Sequence, residues 1–310
     1  MMSYKIHPNT KSALWVVGAT LIAVVALVVI MNLGTPSFNA AFADAPAETL
    51  VFMRNDGNDM EIFTINSDGT GERQLTYNEA TDWGPMWSPD HSYIAFHSDR
   101  DGYDAIYVMS AHCNNAAIRV SPEGRYARYP SFSPDGMQIA FEMYMGDDNW
   151  DIHVLSLVDG SINRITFNDA IDGGASFSPD GTQIAYHSTQ KGDYDIYVVN
   201  LDGSDTQRLT FQPDSMDVWA EWSPDGSQIL FHSERDGDSD IYIMDADGSN
   251  QTDLSNTDTL ERTPRFSADG SQIVFRAEDE GISNIYIMDR NGRNVRPVTD
   301  SILSDWYPDF

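Results

Sequence analysis

Short apolar runs alternate with polar turn sequences along most of the chain, and the same alternation returns at a nearly fixed interval. Each unit contains an aromatic residue followed by Ser-Pro-Asp-Gly or a close variant of it. Successive aromatic residues are 44 or 45 residues apart. A fixed period of this length is typical of propellers and other repeat architectures. The aromatic positions are Trp87, Phe132, Phe177, Trp222, Phe266 and Phe310.

Each repeat is predicted to form four short β-strands. In the third complete repeat the apolar runs are residues 175–178, 183–187, 195–199 and 206–210. Asp-Gly pairs stand between the first and second runs and between the third and fourth, and Asp-Gly is a strong signal for a hairpin turn. Four strands in about 40–45 residues correspond to one propeller blade.

The two ends of the repeat region complete each other. Its first run, residues 50–53, has the pattern of a second strand, whereas residues 305–310 have the pattern of a first strand. We therefore expect an all-β fold over residues 50–310: a six-bladed β-propeller of four-stranded blades, closed by the C-terminal strand. Closure removes the sheet edges that a linear stack of blades would leave exposed.

The N-terminal segment has the pattern of a membrane signal. Residues 13–33 form an apolar run without a charge, which is long enough for one transmembrane helix. Lys5 and Lys11 precede it, so the positive-inside rule predicts cytoplasmic residues 1–12, a linker at 34–49 and a propeller outside the cytoplasmic membrane. The alternative is a signal peptide cleaved after Ala43, which would leave a secreted or periplasmic protein. The length of the apolar run favours the single-pass anchor.

Composition narrows the classes of partner. Asp and Glu total 48 against 18 Lys and Arg, which gives a formal net charge of −30. Nucleic acids and anionic lipid headgroups would be repelled, so membrane contact is expected only through the N-terminal helix. A single cysteine, Cys113, excludes intramolecular disulfides and cysteine-based metal clusters.

The repeat resembles a known family. Its pattern Phe/Trp-Ser-Pro-Asp-Gly-x-x-Ile-Ala-Phe, followed by Asp-Ile-Tyr-Val-Met, Asp-Gly and Arg-Leu-Thr, resembles the WD40-like β-propeller repeat of TolB type over residues 50–310. The resemblance implies the propeller fold, and such blades occur in partner-binding envelope proteins, peptidase accessory domains and some lyases. TolB itself carries an N-terminal α/β domain before its propeller, where this sequence has only residues 34–49. The partners of TolB are therefore not carried over.

Six polar residues occupy matching positions near the end of the second strand and form a candidate binding ring. Three histidines in this set are compatible with a transition metal. The alternatives are that each histidine pairs with a neighbouring carboxylate, or that the ring contacts a polar ligand over a wide central tunnel, which we favour over the metal. The six positions are Arg54, His97, Glu142, His187, His232 and Arg276.

Two further sets fall in predicted loops. Trp83, Trp219 and Trp306 are expected in the connections between fourth and first strands, where amphipathic aromatic residues serve either recognition or packing. Asp236, Asp238 and Asp240 lie in an Asp-rich connection between second and third strands. They are weak candidates for calcium, because the loop lacks the EF-hand spacing, and we expect no cofactor.

No catalytic motif stands out in the sequence. It contains no Gly-x-Ser-x-Gly elbow, His-Glu-x-x-His pair or phosphate-binding glycine loop. The leading hypothesis is therefore a monomeric, non-catalytic scaffold that binds a protein or peptide in the cell envelope. The alternatives are a carbohydrate-active enzyme and a sensor of a glycan or small ligand that uses the histidine-containing ring.

Overall fold

The computed structural model describes residues 49–112 and 116–310. These residues form 24 β-strands in six four-stranded antiparallel sheets, which confirms the predicted six-bladed propeller. The predicted transmembrane helix at 13–33, most of the linker and Cys113 lie outside the described residues. Within the described ranges, no helix is both long enough and apolar enough to cross a bilayer.

Blades 2 to 6 each consist of four consecutive strands. Blade 2 contains β4 (Asp82–Trp87), β5 (Tyr93–Ser98), β6 (Ala105–Ser110) and β7 (Ile118–Arg119). Blade 3 contains β8 (Ala127–Phe132), β9 (Gln138–Gly146), β10 (Asn149–Ser156) and β11 (Ile162–Arg164). Blade 4 contains β12 (Asp172–Phe177), β13 (Gln183–Ser188), β14 (Asp195–Asn200) and β15 (Gln207–Arg208). Blade 5 contains β16 (Asp217–Trp222), β17 (Gln228–Ser233), β18 (Asp240–Asp245) and β19 (Thr252–Asp253). Blade 6 contains β20 (Leu260–Phe266), β21 (Gln272–Asp279), β22 (Ile282–Asp289) and β23 (Arg296–Pro297).

Blade 1 joins the two ends of the propeller. Its strands are β1 (Thr49–Asn55), β2 (Met60–Asn66) and β3 (Arg73–Gln74), and β24 (Asp305–Asp309) supplies the first strand. Val51 pairs with Asp309 and Arg54 pairs with Asp305. The first strands β4, β8, β12, β16, β20 and β24 contact one another in that order around the axis, and β24 contacts β4. The ring therefore closes as predicted.

The recurring Ser-Pro-Asp-Gly turn has a local explanation. In blade 4, the Ser178 hydroxyl donates to Asp180 Oδ1 at 2.7 Å and accepts from the Gln183 amide at 3.0 Å. Gly181 adopts φ +69°, a left-handed conformation that glycine tolerates, and its amide donates to the Ser178 carbonyl at 2.8 Å. We call the side of the ring that carries these turns the turn face. The opposite side, formed by connections between strands two and three and between four and one, is the loop face.

The core lies between blades. Ala185, Ile196 and Val198 of blade 4 pack against Ile229 and Phe231 of blade 5, and all five are buried. Similar clusters lie between the other described blades, including Leu50 and Phe52 of blade 1 against blade 6. Because each blade completes its core only against a neighbour, the closed ring holds the loop face as one rigid surface.

Candidate functional site

Every first strand bulges at the same position, next to the central axis. The residue at that position has a φ between about +51° and +60°, and the strand register shifts there in each blade. A positive φ is an outlier for a β-branched residue such as Thr263 and is maintained by the surrounding fold. The six axial residues are Gly84, Tyr129, Gly174, Trp219, Thr263 and Tyr307.

Large and small side chains alternate among these axial residues, and the large ones close the axis. The Tyr129 ring lies 4.7 Å from the Trp219 ring and 5.5 Å from the Tyr307 ring, centroid to centroid. Trp219 and Tyr307 are 5.3 Å apart. The cavity left beside this aromatic plug is about 20 Å³, room for one water molecule. The expectation of a wide central tunnel is therefore wrong: three aromatic rings fill it.

The three tryptophans lie in strands rather than in loops, contrary to the sequence expectation. Trp83 lies in β4 and stacks on the His97 ring at 6.4 Å, Trp219 lies in β16 within the aromatic plug, and Trp306 lies in β24 opposite Met53. Each is only partly buried, so each still contributes some surface. Trp219 is at once a packing residue of the axis and a wall of the pocket described below.

Three members of the candidate ring connect neighbouring blades. The Nδ1 atoms of His97 and His187 accept hydrogen bonds from the backbone amides of Tyr129 and Trp219, each at 3.4 Å. Glu142 Oε1 accepts from the Gly174 amide at 3.0 Å. In each case the donor is the left-handed axial residue of the following blade. We call these contacts the inter-blade latches. The partner of His97 and of His187 is a backbone amide, not the neighbouring carboxylate that was one alternative from the sequence.

The protonation states fit this latch role. Burial lowers the pKa of the His97 and His187 imidazoles to about 3, so both rings are neutral and can accept at Nδ1. Burial raises the pKa of Glu142 to about 7, an effect that the nearby Arg128 partly offsets. These three residues are therefore explained by the architecture of the ring.

The latch series stops in the remaining three blades. Arg54 cannot accept a hydrogen bond, and its guanidinium instead binds Asp305 through two contacts at 2.5 and 3.0 Å and Glu72 at 2.8 Å. His232 is 2% exposed, and its Nδ1 has no hydrogen-bond partner among the described residues. Arg276 replaces the acceptor altogether in blade 6, and its Nε is also buried without a partner there.

A pocket opens on the loop face where the latches stop. It has a volume of about 260 Å³ between blades 4, 5 and 6, and it brings four of the nine predicted binding residues together. Arg262 adds a second guanidinium, which donates to Ser239 at 2.9 Å and to Glu234 at 3.1 Å. The pocket is lined by His187, Tyr194, Met216, Val218, Trp219, His232, Arg262, Thr263, Arg276 and Tyr307.

The weak metal candidates do not converge. Asp236 accepts a hydrogen bond from the Tyr242 hydroxyl and Asp240 accepts one from Ser255 at 3.2 Å. In the described part of the chain, the one group of three His, Cys, Asp or Glu residues with donor atoms within 4.8 Å of one another is Asp56, Asp59 and Glu61. Neither the three histidines of the ring nor Asp236, Asp238 and Asp240 form such a group.

Exposed aromatic residues on the loop face escaped the sequence analysis. Tyr77, Phe167 and Phe211 are 62%, 68% and 65% exposed and lie in connections between fourth and first strands. Ile302, in the equivalent connection before β24, is 88% exposed. The signal for them was present: an aromatic residue directly follows Leu-Thr or Ile-Thr in three repeats. Tyr129, Tyr307 and Arg262 were missed because only the alignment of all six bulges reveals their position.

The chain is similar to several known proteins in sequence. The family described as the TolB beta propeller domain matches residues 9–145, 127–219 and 215–307. The Tol-Pal system protein TolB of Francisella tularensis subsp. holarctica is 32% identical over 85 residues, 27% of this chain and 19% of that protein. Dipeptidyl-peptidase 5 of Porphyromonas gingivalis is 31% identical over 81 residues, 26% of this chain and 12% of that protein. The matched segments thus span less than a fifth of these curated relatives.

Solved structures share the fold. TolB from Acinetobacter baumannii superposes with a TM-score of 0.75 at 22% identity, covering 84% of this chain and 66% of that one. Hydrazine synthase from Kuenenia stuttgartiensis superposes with a TM-score of 0.69 at 14% identity, covering 85% and 46%. An oligogalacturonate lyase from Vibrio parahaemolyticus gives 0.57 at 14% identity, covering 81% and 74%. At these identities the likeness shows the propeller and carries no function with it.

Proposed function

The chain belongs to the family of TolB β-propeller domains, and on that premise we propose that it is a non-catalytic scaffold of the cell envelope. In this proposal the loop face binds a protein or peptide partner. The observation that carries it is the set of exposed aromatic side chains on one face of a rigid ring, of which Tyr77, Phe167 and Phe211 are the most exposed. Exposed aromatic residues on a rigid support are typical anchors of protein interfaces.

Two arginines that contact these aromatic anchors support a binding role. The guanidinium groups of Arg164 and Arg208 lie 4.8 Å from the Phe167 and Phe211 ring centroids and each pairs with a buried Asp of its own blade. The arginines hold the two rings in place, so little side-chain entropy would be lost on binding. A partner would therefore meet preorganised aromatic surfaces.

The second part of the proposal concerns location. The apolar run at 13–33, with Lys5 and Lys11 before it, supports a single-pass anchor in the cytoplasmic membrane with the propeller outside. Cleavage after Ala43 is the alternative, and it would release the same propeller into the periplasm or the medium. In both cases the loop face would meet an extracytoplasmic partner.

The pocket with Arg262, Arg276 and His232 favours a second candidate function, a sensor for a small polar ligand. Its volume of about 260 Å³ is below the range of about 300–1,000 Å³ typical of drug-sized ligand sites. The pocket is therefore better matched to one chemical group than to an extended glycan. We rank the sensor below the scaffold for this reason.

The scaffold proposal is tested by affinity capture with full-length variants. Replacing Tyr77, Phe167 and Phe211 together with Ser should abolish partner capture, because it removes the three most exposed aromatic side chains of the loop face without touching the core. The matched control replaces Met137 and Val295, 42% and 54% exposed on the turn face, with Ser and should capture the partner normally. Equal capture by both variants would rule out the loop face as the binding surface.

A further inference from the structure

The pocket between blades 4, 5 and 6 holds buried polar atoms that the fold leaves without partners. His232 Nδ1 and Arg276 Nε belong to residues that line it, and neither atom has a hydrogen-bond partner among the described residues. Leaving such an atom unsatisfied costs about 1–3 kcal/mol. Both residues line the pocket at the point where the inter-blade latches stop, so its wall carries polar atoms that the fold does not use.

We infer that this pocket binds a single carboxylate group, with Arg262, Arg276 and His232 as its hydrogen-bond donors. Arg276 uses Nη1 on Ser283 at 2.9 Å and lies 3.6 Å from Glu278, which leaves the rest of its guanidinium for a ligand. Trp219 and Tyr194 supply aromatic walls beside the charged groups. A planar guanidinium matches the two oxygens of a carboxylate, so the geometry and the ligand chemistry agree.

The net charge of the residues around the pocket favours a ligand with a single negative charge. Arg262 is paired with Glu234 and Arg276 lies near Glu278, so these four groups sum to zero. One carboxylate together with a proton taken up by His232 keeps the site neutral, whereas a phosphate dianion would leave an excess negative charge. The net charge of −30 also disfavours multiply charged anions at longer range.

The surroundings of His232 explain why a proton accompanies the ligand. Burial, Arg262 of β20, Arg276 of β21 and His187 of β13 all lower its pKa well below the usual range, so the ring is neutral in the empty pocket. Asp217 and Asp240, on the flanking strands, direct their carboxylates to Ser233 and Arg235 and to Ser255. A bound carboxylate would be the negative charge that favours the imidazolium. Binding is therefore expected to strengthen as the pH falls.

The inference is independent of the scaffold proposal, because a free carboxylate would occupy the pocket even without a protein partner. The test uses the full chain purified in detergent and calorimetric titration with acetyl-Gly-Gly-Asp-Gly-Gly-amide. The probe with Asn in place of Asp is its neutral isostere. The Asp peptide should bind at least about tenfold more tightly than the Asn peptide. Titrations in buffers of different ionisation enthalpy should show proton uptake.

Variants distinguish binding in the pocket from general electrostatic attraction to the protein surface. Arg276→Gln should weaken binding of the Asp peptide at least about tenfold. The matched control Arg293→Gln removes the same charge from an exposed residue on the turn face and should leave binding unchanged. His232→Gln should abolish proton uptake. A sodium acetate titration identifies the source: weaker binding than the peptide assigns the carboxylate to a polypeptide, and equal binding assigns it to a free small acid.

Three results would overturn the inference. Equal affinity for the Asp and Asn peptides would show that the charge is not recognised. Equal losses in Arg276→Gln and Arg293→Gln would place binding outside the pocket. Tighter binding of inorganic phosphate than of acetate would contradict the assignment to a monoanion. The comparison of the two peptides uses the unmodified protein, so it holds even where a variant folds poorly.

Discussion

At the residue scale, chemically different side chains perform the same task. His97, Glu142 and His187 each accept the amide of the next blade's axial residue, although one is a carboxylate and two are imidazoles. In these three blades the position supplies an acceptor, and burial lowers the pKa of both imidazoles so that they stay neutral. The sequence revealed the matching positions but not this role, because the donor is a backbone amide about 32 residues away.

The buried latch at Glu142 predicts a measurable pH dependence of stability. Its pKa rises from 4.5 in the unfolded chain to about 7 in the folded one, so the folded state retains a proton that the unfolded state releases. The group therefore stabilises the fold below pH 4.5, and this contribution is lost as the pH rises through about 7. Glu142→Gln keeps an acceptor oxygen and removes this titration.

Urea unfolding at about pH 4 and pH 8 measures the effect. From about pH 4 to pH 8, the free energy of unfolding of the wild type should fall by about 3 kcal/mol more than that of Glu142→Gln. Glu280→Gln, at an exposed turn, serves as the control and should follow the wild-type pH profile. A profile for Glu142→Gln parallel to the wild type would mean that Glu142 is not buried as described.

At the scale of elements, the strands and turns were predictable because their signals are local. Asp-Gly turns, alternating apolar residues and the terminal half-blades together predicted 24 strands and the role of β24. The aromatic plug was not predictable in the same way. It depends on Tyr129, Trp219 and Tyr307 lying in alternate blades, with Gly84, Gly174 and Thr263 between them, and on a bulge in every first strand. Such a relation exists only after the ring has closed.

The closing strand can be tested by removal and replacement. Deleting residues 303–310 takes away β24, the Arg54–Asp305 ion pair and one ring of the plug, and it exposes an edge of β1. We expect the melting temperature to fall by a large amount and the chain to self-associate through the free edge. Adding a synthetic peptide of residues 303–310 should raise the melting temperature again and suppress the self-association. A truncated chain that stays monomeric and equally stable would contradict the closed ring.

At the scale of the whole molecule, the ring separates stability from recognition. The axis is filled, the wedges between blades are apolar, and the exposed aromatic anchors and the arginine-lined pocket lie on the loop face. The sequence predicted the ring but not the position of its tryptophans, since Trp83, Trp219 and Trp306 lie in first strands rather than in loops. Tyr77, Phe167 and Phe211 take the loop positions instead. Their Leu-Thr or Ile-Thr pattern is a local signal in three repeats, but only the closed ring brings the three side chains to one face.

Site-specific photo-crosslinking in cells tests the central claim most directly. A photoreactive amino acid replaces Phe211 on the loop face in one variant and Val295 on the turn face in the other, because both side chains are well exposed. Mass spectrometry then identifies the adducts. The account predicts one dominant protein adduct at 211 and none at 295. The reverse pattern, or the same adducts at both positions, would contradict a loop-face scaffold.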